Sequence, residues 1–173
     1  MDLRYPIGKY TPNPVITSAE IERWIDQIAE LPGYLRQAVS KLDDARLDTA
    51  YRPEGWTLRQ VVHHLADSHL NSLIRFKLAL TEEEPTIKPY DEVAWAQLAD
   101  YQLFSVDQEL DFIALLHARW VVLLRSLAPA DFERTYRHPE SGVKRLDWTV
   151  GLYAWHGRHH LAHITTTMLR EGW

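Results

Sequence analysis

Trp155-His156-Gly157-Arg158-His159-His160-Leu161-Ala162-His163 places four histidines in a short segment of helical periodicity. A helix turns once in 3.6 residues, so His156 and His160, four apart, share a face. An earlier helical segment, Val62-His63-His64-Leu65-Ala66-Asp67-Ser68-His69, repeats the pattern, and seven of the nine histidines fall in these two stretches. A helix face carrying several imidazoles makes a poor core unless something satisfies them. An i, i+4 pair is the spacing at which two imidazoles bind one metal ion. A third ligand from another helix would leave an open coordination position, as in catalytic rather than structural zinc sites. The two stretches together predict a helical bundle built around a three-histidine metal site.

The flanking sequence supplies the remaining helices. Thr17-Ser18-Ala19-Glu20, Thr57-Leu58-Arg59-Gln60 and Ser105-Val106-Asp107-Gln108 each carry the capping-box pattern, a hydroxyl residue followed three positions later by Glu or Gln. The first opens a helix with Ile21, Trp24, Ile25, Ile28 and Leu31 on one face, which Pro32-Gly33 is expected to kink or break. The second opens a helix to about Leu80, and the third a strongly periodic helix that Pro129 stops. Asp147 is expected to N-cap the last helix, which runs to about Arg170. Between these lie a short helix across Glu92–Leu98, one further turn in Asp131–Thr135, and a loop or small hairpin over Tyr136–Arg145. Residues 1–16, with Pro6, Pro12 and Pro14, read as an extended arm. The expected fold is all-α, a four-helix bundle with long irregular connections, in one domain over residues 1–173. Long links after the second and third helices allow an order other than simple up-and-down.

Composition narrows the chemistry. Hydrophobic residues at 46% and charged residues at 25% are ordinary for a globular domain. Nineteen basic against 24 acidic side chains give a net charge of −5, with no basic run, which argues against nucleic acid as a partner. With no cysteine, His, Asp and Glu remain as metal ligands, and disulfides and thiol nucleophiles are excluded. The most apolar long stretch, Phe104–Leu127, carries Asp107, Glu109, Asp111, His117, Arg119 and Arg125, so it is not a membrane span. With no apolar signal core at the start, a cytoplasmic protein is expected.

Individual histidines separate by face. His64 shares a stripe with Thr57, Ser68, Asn71 and Arg75, and His156 and His160 share one with Thr149, Tyr153, His163 and Thr167. His63 falls beside Gln60 and Asp67 and is expected to be solvated, and His159 is expected at the surface or an interface. His69 and His117 fall on apolar faces and read as hydrogen-bonded core residues. For His163 the spacing leaves ligand, partner of a ligand and surface residue all open. His138 sits in the loop before Pro139, where reaching the mouth of the cleft and having no role are both open. Gly157-Arg158-His159 between the paired histidines is not the His-Glu-x-x-His signature of zinc proteases.

Several segments carry a wider likeness. They are Tyr5-Pro6-Ile7-Gly8, Tyr51-Arg52-Pro53-Glu54-Gly55-Trp56 continuing through His69, Arg75-Phe76-Lys77-Leu78, Pro89-Tyr90-Asp91-Glu92, Gly151-Leu152-Tyr153-Ala154-Trp155-His156 and His159-His160-Leu161-Ala162-His163-Ile164. In these the chain resembles the DinB-like superfamily of four-helix metal proteins, and within it the YfiT-type metal-dependent hydrolases. The resemblance implies an up-down-down-up bundle, a homodimer, and one divalent metal per chain, zinc or nickel, held by His64, His156 and His160. It points to a hydrolase acting on a small-molecule substrate, the open metal position activating water. No residue is assigned as catalytic base; Asp67, Asp91 and Glu92 are the available acids. A different enzyme class uses the same site: a thiol S-transferase activating a low-molecular-weight, bacillithiol-like thiol, with Arg75 binding a carboxylate of that cofactor. A third reading is a non-enzymatic metal-binding bundle.

Overall fold

The computed structural model describes residues 2–173. Its long helices are α1 (Ser18–Val39), α3 (Leu58–Thr81), α6 (Val106–Arg125) and α7 (Leu146–Glu171). Three short helices, α2 (Asp44–Leu47), α4 (Glu92–Trp95) and α5 (Asp100–Leu103), lie in the links. A 3₁₀ turn, Pro129–Glu133, leads into an antiparallel hairpin of β1 (Thr135–His138) and β2 (Gly142–Arg145). The expected four-helix architecture is present.

Helix starts follow sequence logic with two exceptions. Thr17 and Thr57 close full capping boxes with Glu20 and Gln60. Ser105 precedes α6 but makes no side-chain cap bond. Asp147 is not the N-cap of α7: the cap is Arg145, two residues earlier, the helix starts at Leu146, and Asp147 sits in its first turn. There its carboxylate accepts from the Trp148 N–H at 2.6 Å and from Arg145 at 2.8 Å.

The expected break at Pro32 is also absent, since α1 runs through it. Proline lacks the N–H that would bond the carbonyl four residues back, which here is Ile28. That carbonyl instead accepts from His117 Nδ1 of α6 at 2.7 Å. The tertiary bond replaces the one that proline removes, so the helix continues.

Contacts between the long helices fix their directions. Along α1, Asp26 pairs with Arg125 and Arg36 with Asp111, so α1 and α6 are antiparallel. Trp24 meets Gly151 and Leu31 meets Gly157, so α1 and α7 are parallel. His63 pairs with Glu109 and Phe76 with Trp120, so α3 runs parallel to α6. His64 meets His160 while Arg75 meets Tyr153, making α3 and α7 antiparallel. The order is therefore up-down-down-up. Parallel neighbours cannot be joined by a tight turn, and α3, 24 residues long, spans about 36 Å. The link of residues 82–105 makes that return.

Two apolar clusters divide the core. One holds Ile25, Phe76, Trp120, Val150 and Tyr153; the other holds Leu35, Leu58, Val62, Leu110 and Ile164. His69 on α3 and His156 and His160 on α7 fall in sequence between these halves, and His117 of α6 joins His69 from within the first cluster, so that the four form a polar layer across the bundle. Each fully buried large side chain in the halves contributes about 1.5–3 kcal/mol, and this apolar packing offsets the cost of ordering the polar layer.

The link after α3 is stitched to the hairpin. Ile87 N–H donates to the Arg137 carbonyl at 3.0 Å, and Arg137 N–H to that of Pro85 at 2.9 Å. Arg134 donates to the carbonyls of Ala79 and Glu82 at the end of α3. This pairing holds residues 89–93 and His138 beside α3 and α7, where they wall a cavity.

Candidate metal centre

His64 projects from α3, and His156 and His160 from consecutive turns of α7. One ring nitrogen from each lies within 4.8 Å of the other two. His64 Nε2 and His156 Nε2 are 3.4 Å apart. Trp56, just before the Thr57 cap, packs on the His64 ring with centroids 4.6 Å apart. The three residues named from the sequence are thus brought together.

Burial decides their protonation. His64 is held down to about 4 by burial, with His159 and His163 adding like-charge repulsion. His156 and His160 are pushed well below the ordinary imidazole range, first by burial and then by the neighbouring histidines. All three are neutral at neutral pH and offer lone pairs, as metal ligands must.

The group lines a cavity of about 770 Å³ walled also by Arg75, Tyr90, Asp91, Glu92 and His138. Burial raises the Tyr90 hydroxyl above its usual value, with Ser68 hydrogen-bonded to it, so it stays a proton donor. Arg75 Nη1 reaches the Tyr153 hydroxyl at 3.4 Å. Among the described residues no carboxylate lies within ion-pair distance of Arg75. Of the acids considered as a base, Asp91 and Glu92 line this cavity. Asp67 instead accepts from the Tyr101 hydroxyl at 2.7 Å.

The remaining histidines are buried more often than spacing suggested. His63 is not solvated: it is 4% exposed and bonds Glu109 of α6 through Nδ1 at 3.0 Å. Tyr101 and Phe104 pack near its ring. His159 is likewise buried, stacked on Trp155 at 4.5 Å and covered by Tyr5 of the N-terminal arm. Helical periodicity carries no information about a covering arm or link, so both assignments failed for the same reason. His69 and His117 are core residues as read, with His69 Nδ1 and His117 Nε2 2.8 Å apart. His163 is buried, stacks on Tyr51, and sits 3.3 Å from His160 between Nδ1 atoms. His159, His160 and His163 form a second trio close enough to hold an ion.

A model of the DinB superfamily matches residues 27–164, which include all three histidines of the first trio. The chain belongs to the DinB superfamily. Within it, the chain is 57% identical over 172 residues to a protein of Bacillus mycoides, covering 99% of each. It is 53% identical over 173 residues to one of Oceanobacillus iheyensis, covering 100% of each. Both relatives bear the name "putative metal-dependent hydrolase". Among solved structures, YfiT from Bacillus subtilis superposes with a TM-score of 0.97 at 49% identity, covering 100% of this chain and 99% of that one. It is described as "a probable metal-dependent hydrolase with an unusual four-helix bundle topology". This member of the superfamily therefore has metal-dependent relatives and a histidine group fit to hold an ion.

Proposed function

We propose that this chain is a metal-dependent hydrolase whose divalent ion, zinc or nickel, one per chain, is held by His64, His156 and His160. The observation that carries the reading is the convergence of three neutral imidazoles from two helices on a cavity. The spacing fits: two nitrogens each about 2.1 Å from a tetrahedral ion lie about 3.4 Å apart, and the Nε2 atoms of His64 and His156 are 3.4 Å apart. Imidazole ligands suit both zinc and nickel. When bound, the ion supplies Lewis acidity that brings the acidity of water into the neutral range.

The protein's own groups supply the rest. Tyr90, kept protonated, is a donor at the cavity wall, and Arg75 offers a positive charge that no carboxylate among the described residues neutralises. Asp91 and Glu92 are exposed at the cavity wall and are the acids placed to serve as base. The cavity volume of about 770 Å³ falls in the range of small-molecule sites. We propose a homodimeric, cytoplasmic enzyme in a single domain. In support of dimerisation, α6 presents Phe112, Leu115 and Val122 along one exposed side, at 41%, 73% and 72% exposure.

A second reading is thiol S-transfer, which Arg75 favours. A guanidinium with no carboxylate partner among the described residues, lining the same cavity as the three histidines, would bind the carboxylate of a small thiol cofactor, and the thiolate would be the nucleophile. One experiment separates the readings. Metal content is measured by mass spectrometry on untagged protein. Turnover is then assayed on esters and amides, and on electrophiles with and without added thiol. About one ion per chain with thiol-independent turnover supports the hydrolase. Consumption that requires thiol supports the transferase. Metal without turnover leaves a binding bundle, and no metal after zinc or nickel reconstitution rejects both enzymes.

A further inference from the structure

Two chains of hydrogen bonds lead away from the α7 histidines, and each ends on a backbone carbonyl. In the first, His156 Nδ1 is 3.2 Å from His69 Nε2, and His69 Nδ1 is 2.8 Å from His117 Nε2. His117 Nδ1 is 2.7 Å from the carbonyl oxygen of Ile28. In the second, His160 Nδ1 is 3.3 Å from His163 Nδ1, and His163 Nε2 is 3.3 Å from the carbonyl oxygen of Arg4.

The carbonyls settle every proton in both chains. His69, His117 and His163 are at most 2% exposed, and among the described residues no carboxylate lies within ion-pair distance of any of them. A neutral imidazole has one donor nitrogen and one acceptor. A carbonyl only accepts, so His117 Nδ1 carries the hydrogen and Nε2 the lone pair. His69 must then donate through Nδ1 and accept through Nε2, and His156 must donate through Nδ1. The lone pair of His156 is therefore on Nε2, the atom that faces His64 Nε2. By the same steps His163 donates through Nε2 to Arg4, accepts at Nδ1, and leaves His160 with its lone pair on Nε2.

We propose that His69, His117 and His163 are positioning residues of the metal centre, fixing His156 and His160 in the Nδ1–H tautomer that turns Nε2 toward the ion. The inference rests on the reading of His64, His156 and His160 as ligands. Pro32 takes part in the first chain, because it is the residue whose missing N–H leaves the Ile28 carbonyl to His117. The N-terminal arm takes part in the second through Arg4. The second trio, His159, His160 and His163, is then no rival ion site, since His160 and His163 spend their facing nitrogens on each other. His64 has no such chain: its Nδ1 is buried without a partner, so only the α7 ligands are preset.

Two measurements test this. The first needs no metal: long-range ¹H–¹⁵N spectra of histidine-labelled, metal-free protein report which nitrogen of each ring is protonated. The expected result is Nδ1–H for His69, His117, His156 and His160, and Nε2–H for His163. An Nε2–H tautomer at His156 or His160 overturns the proposal whether or not metal binds. The second compares zinc affinity, by competition with a chromophoric chelator, in His117→Gln and His117→Leu, and in the same pair at His163. A glutamine amide can accept from one neighbour and donate to the carbonyl, so it should hold affinity within a few-fold. Leucine can do neither and should lose about 10- to 100-fold. Equal affinity in the glutamine and leucine variants overturns the positioning role alone. Wild-type protein that takes up no zinc overturns the ligand reading and this one with it. If a leucine variant does not fold, the wild-type spectra still decide.

Discussion

Gly157 lies against Leu31 where α7 and α1 run side by side, and a Cβ on Gly157 would overlap Leu31 Cδ2. Gly157 also directly follows His156 in the turn that leads to His160, the two proposed ligands of α7, so the close approach sets how deep that turn of α7 sits in the bundle. In an ordinary helix, Gly→Ala gains roughly 0.5–1 kcal/mol. Overpacking a filled core costs typically about 1–3 kcal/mol, and Leu31 is 3% exposed with little room to move. Gly157→Ala should therefore lower the urea midpoint. Gly33→Ala is the control, since nothing lies within 4 Å of its added Cβ; it should be neutral or stabilising. A destabilised Gly33→Ala beside an unaffected Gly157→Ala would reverse the packing argument.

Substitution of each proposed ligand by alanine should remove most of the bound metal, because two imidazoles no longer close the site. His159→Ala should keep metal near one ion per chain while lowering the melting temperature, since its buried ring stacks on Trp155. His159 lines the same cavity but supplies no nitrogen to the group of His64, His156 and His160, which is why its loss should spare the metal. Elemental analysis after dialysis reads the first effect and calorimetry the second. Equal metal content in all four variants would exclude the trio His64, His156 and His160 as the site.

Residue spacing alone revealed much of this and missed a definable part. The i, i+4 spacing put His156 and His160 on one face and set His64 on a polar stripe, because helix geometry converts spacing directly into a shared face, and the family resemblance joined the three into one set. Thr17 and Thr57 announced their helices because a capping box is local. What spacing could not carry was anything made by a distant segment. His63 becomes buried only because Glu109, Tyr101 and Phe104 arrive from later in the chain, and His159 only because Tyr5 folds over it. Pro32 misled for the same reason, its lost bond being replaced from α6. His138 reaches the cavity through the pairing of residues 85–87 with Arg137, which no local signal marks.

The buried pair of His63 and Glu109 makes a prediction by difference. Removing one partner leaves a buried polar group unmatched, which costs about 1–3 kcal/mol. Glu109→Leu or His63→Leu alone should be destabilising by that order, while the double leucine variant should recover much of the loss. His63 Nε2 already lacks a partner, which strengthens the case that the pair is not a large net stabiliser. Chemical denaturation of the four members of this cycle measures the coupling, and strictly additive losses would show that the two side chains act independently.

His117 gives the metal-free protein an acid sensitivity of definite sign. Burial holds its imidazole down to about 4, partly opposed by the bond to the Ile28 carbonyl. Unfolded, the same group titrates near 6.5. The folded value lies below the unfolded one, so between them the unfolded chain binds more protons. Stability is therefore unaffected by this group above about pH 6.5 and falls as the pH drops toward 4. The shift sets a ceiling of about 3 kcal/mol, with a slope approaching 1.4 kcal/mol per pH unit. His117→Gln keeps both hydrogen bonds but cannot titrate, so it isolates the term. Urea unfolding of metal-free protein at pH 7, 6 and 5 should show the wild type losing stability faster than the variant, by up to one proton's worth of slope. Parallel lines would mean that His117 takes up its proton without unfolding, and that the buried chain from Ile28 to His156 is less closed to water than its exposure suggests.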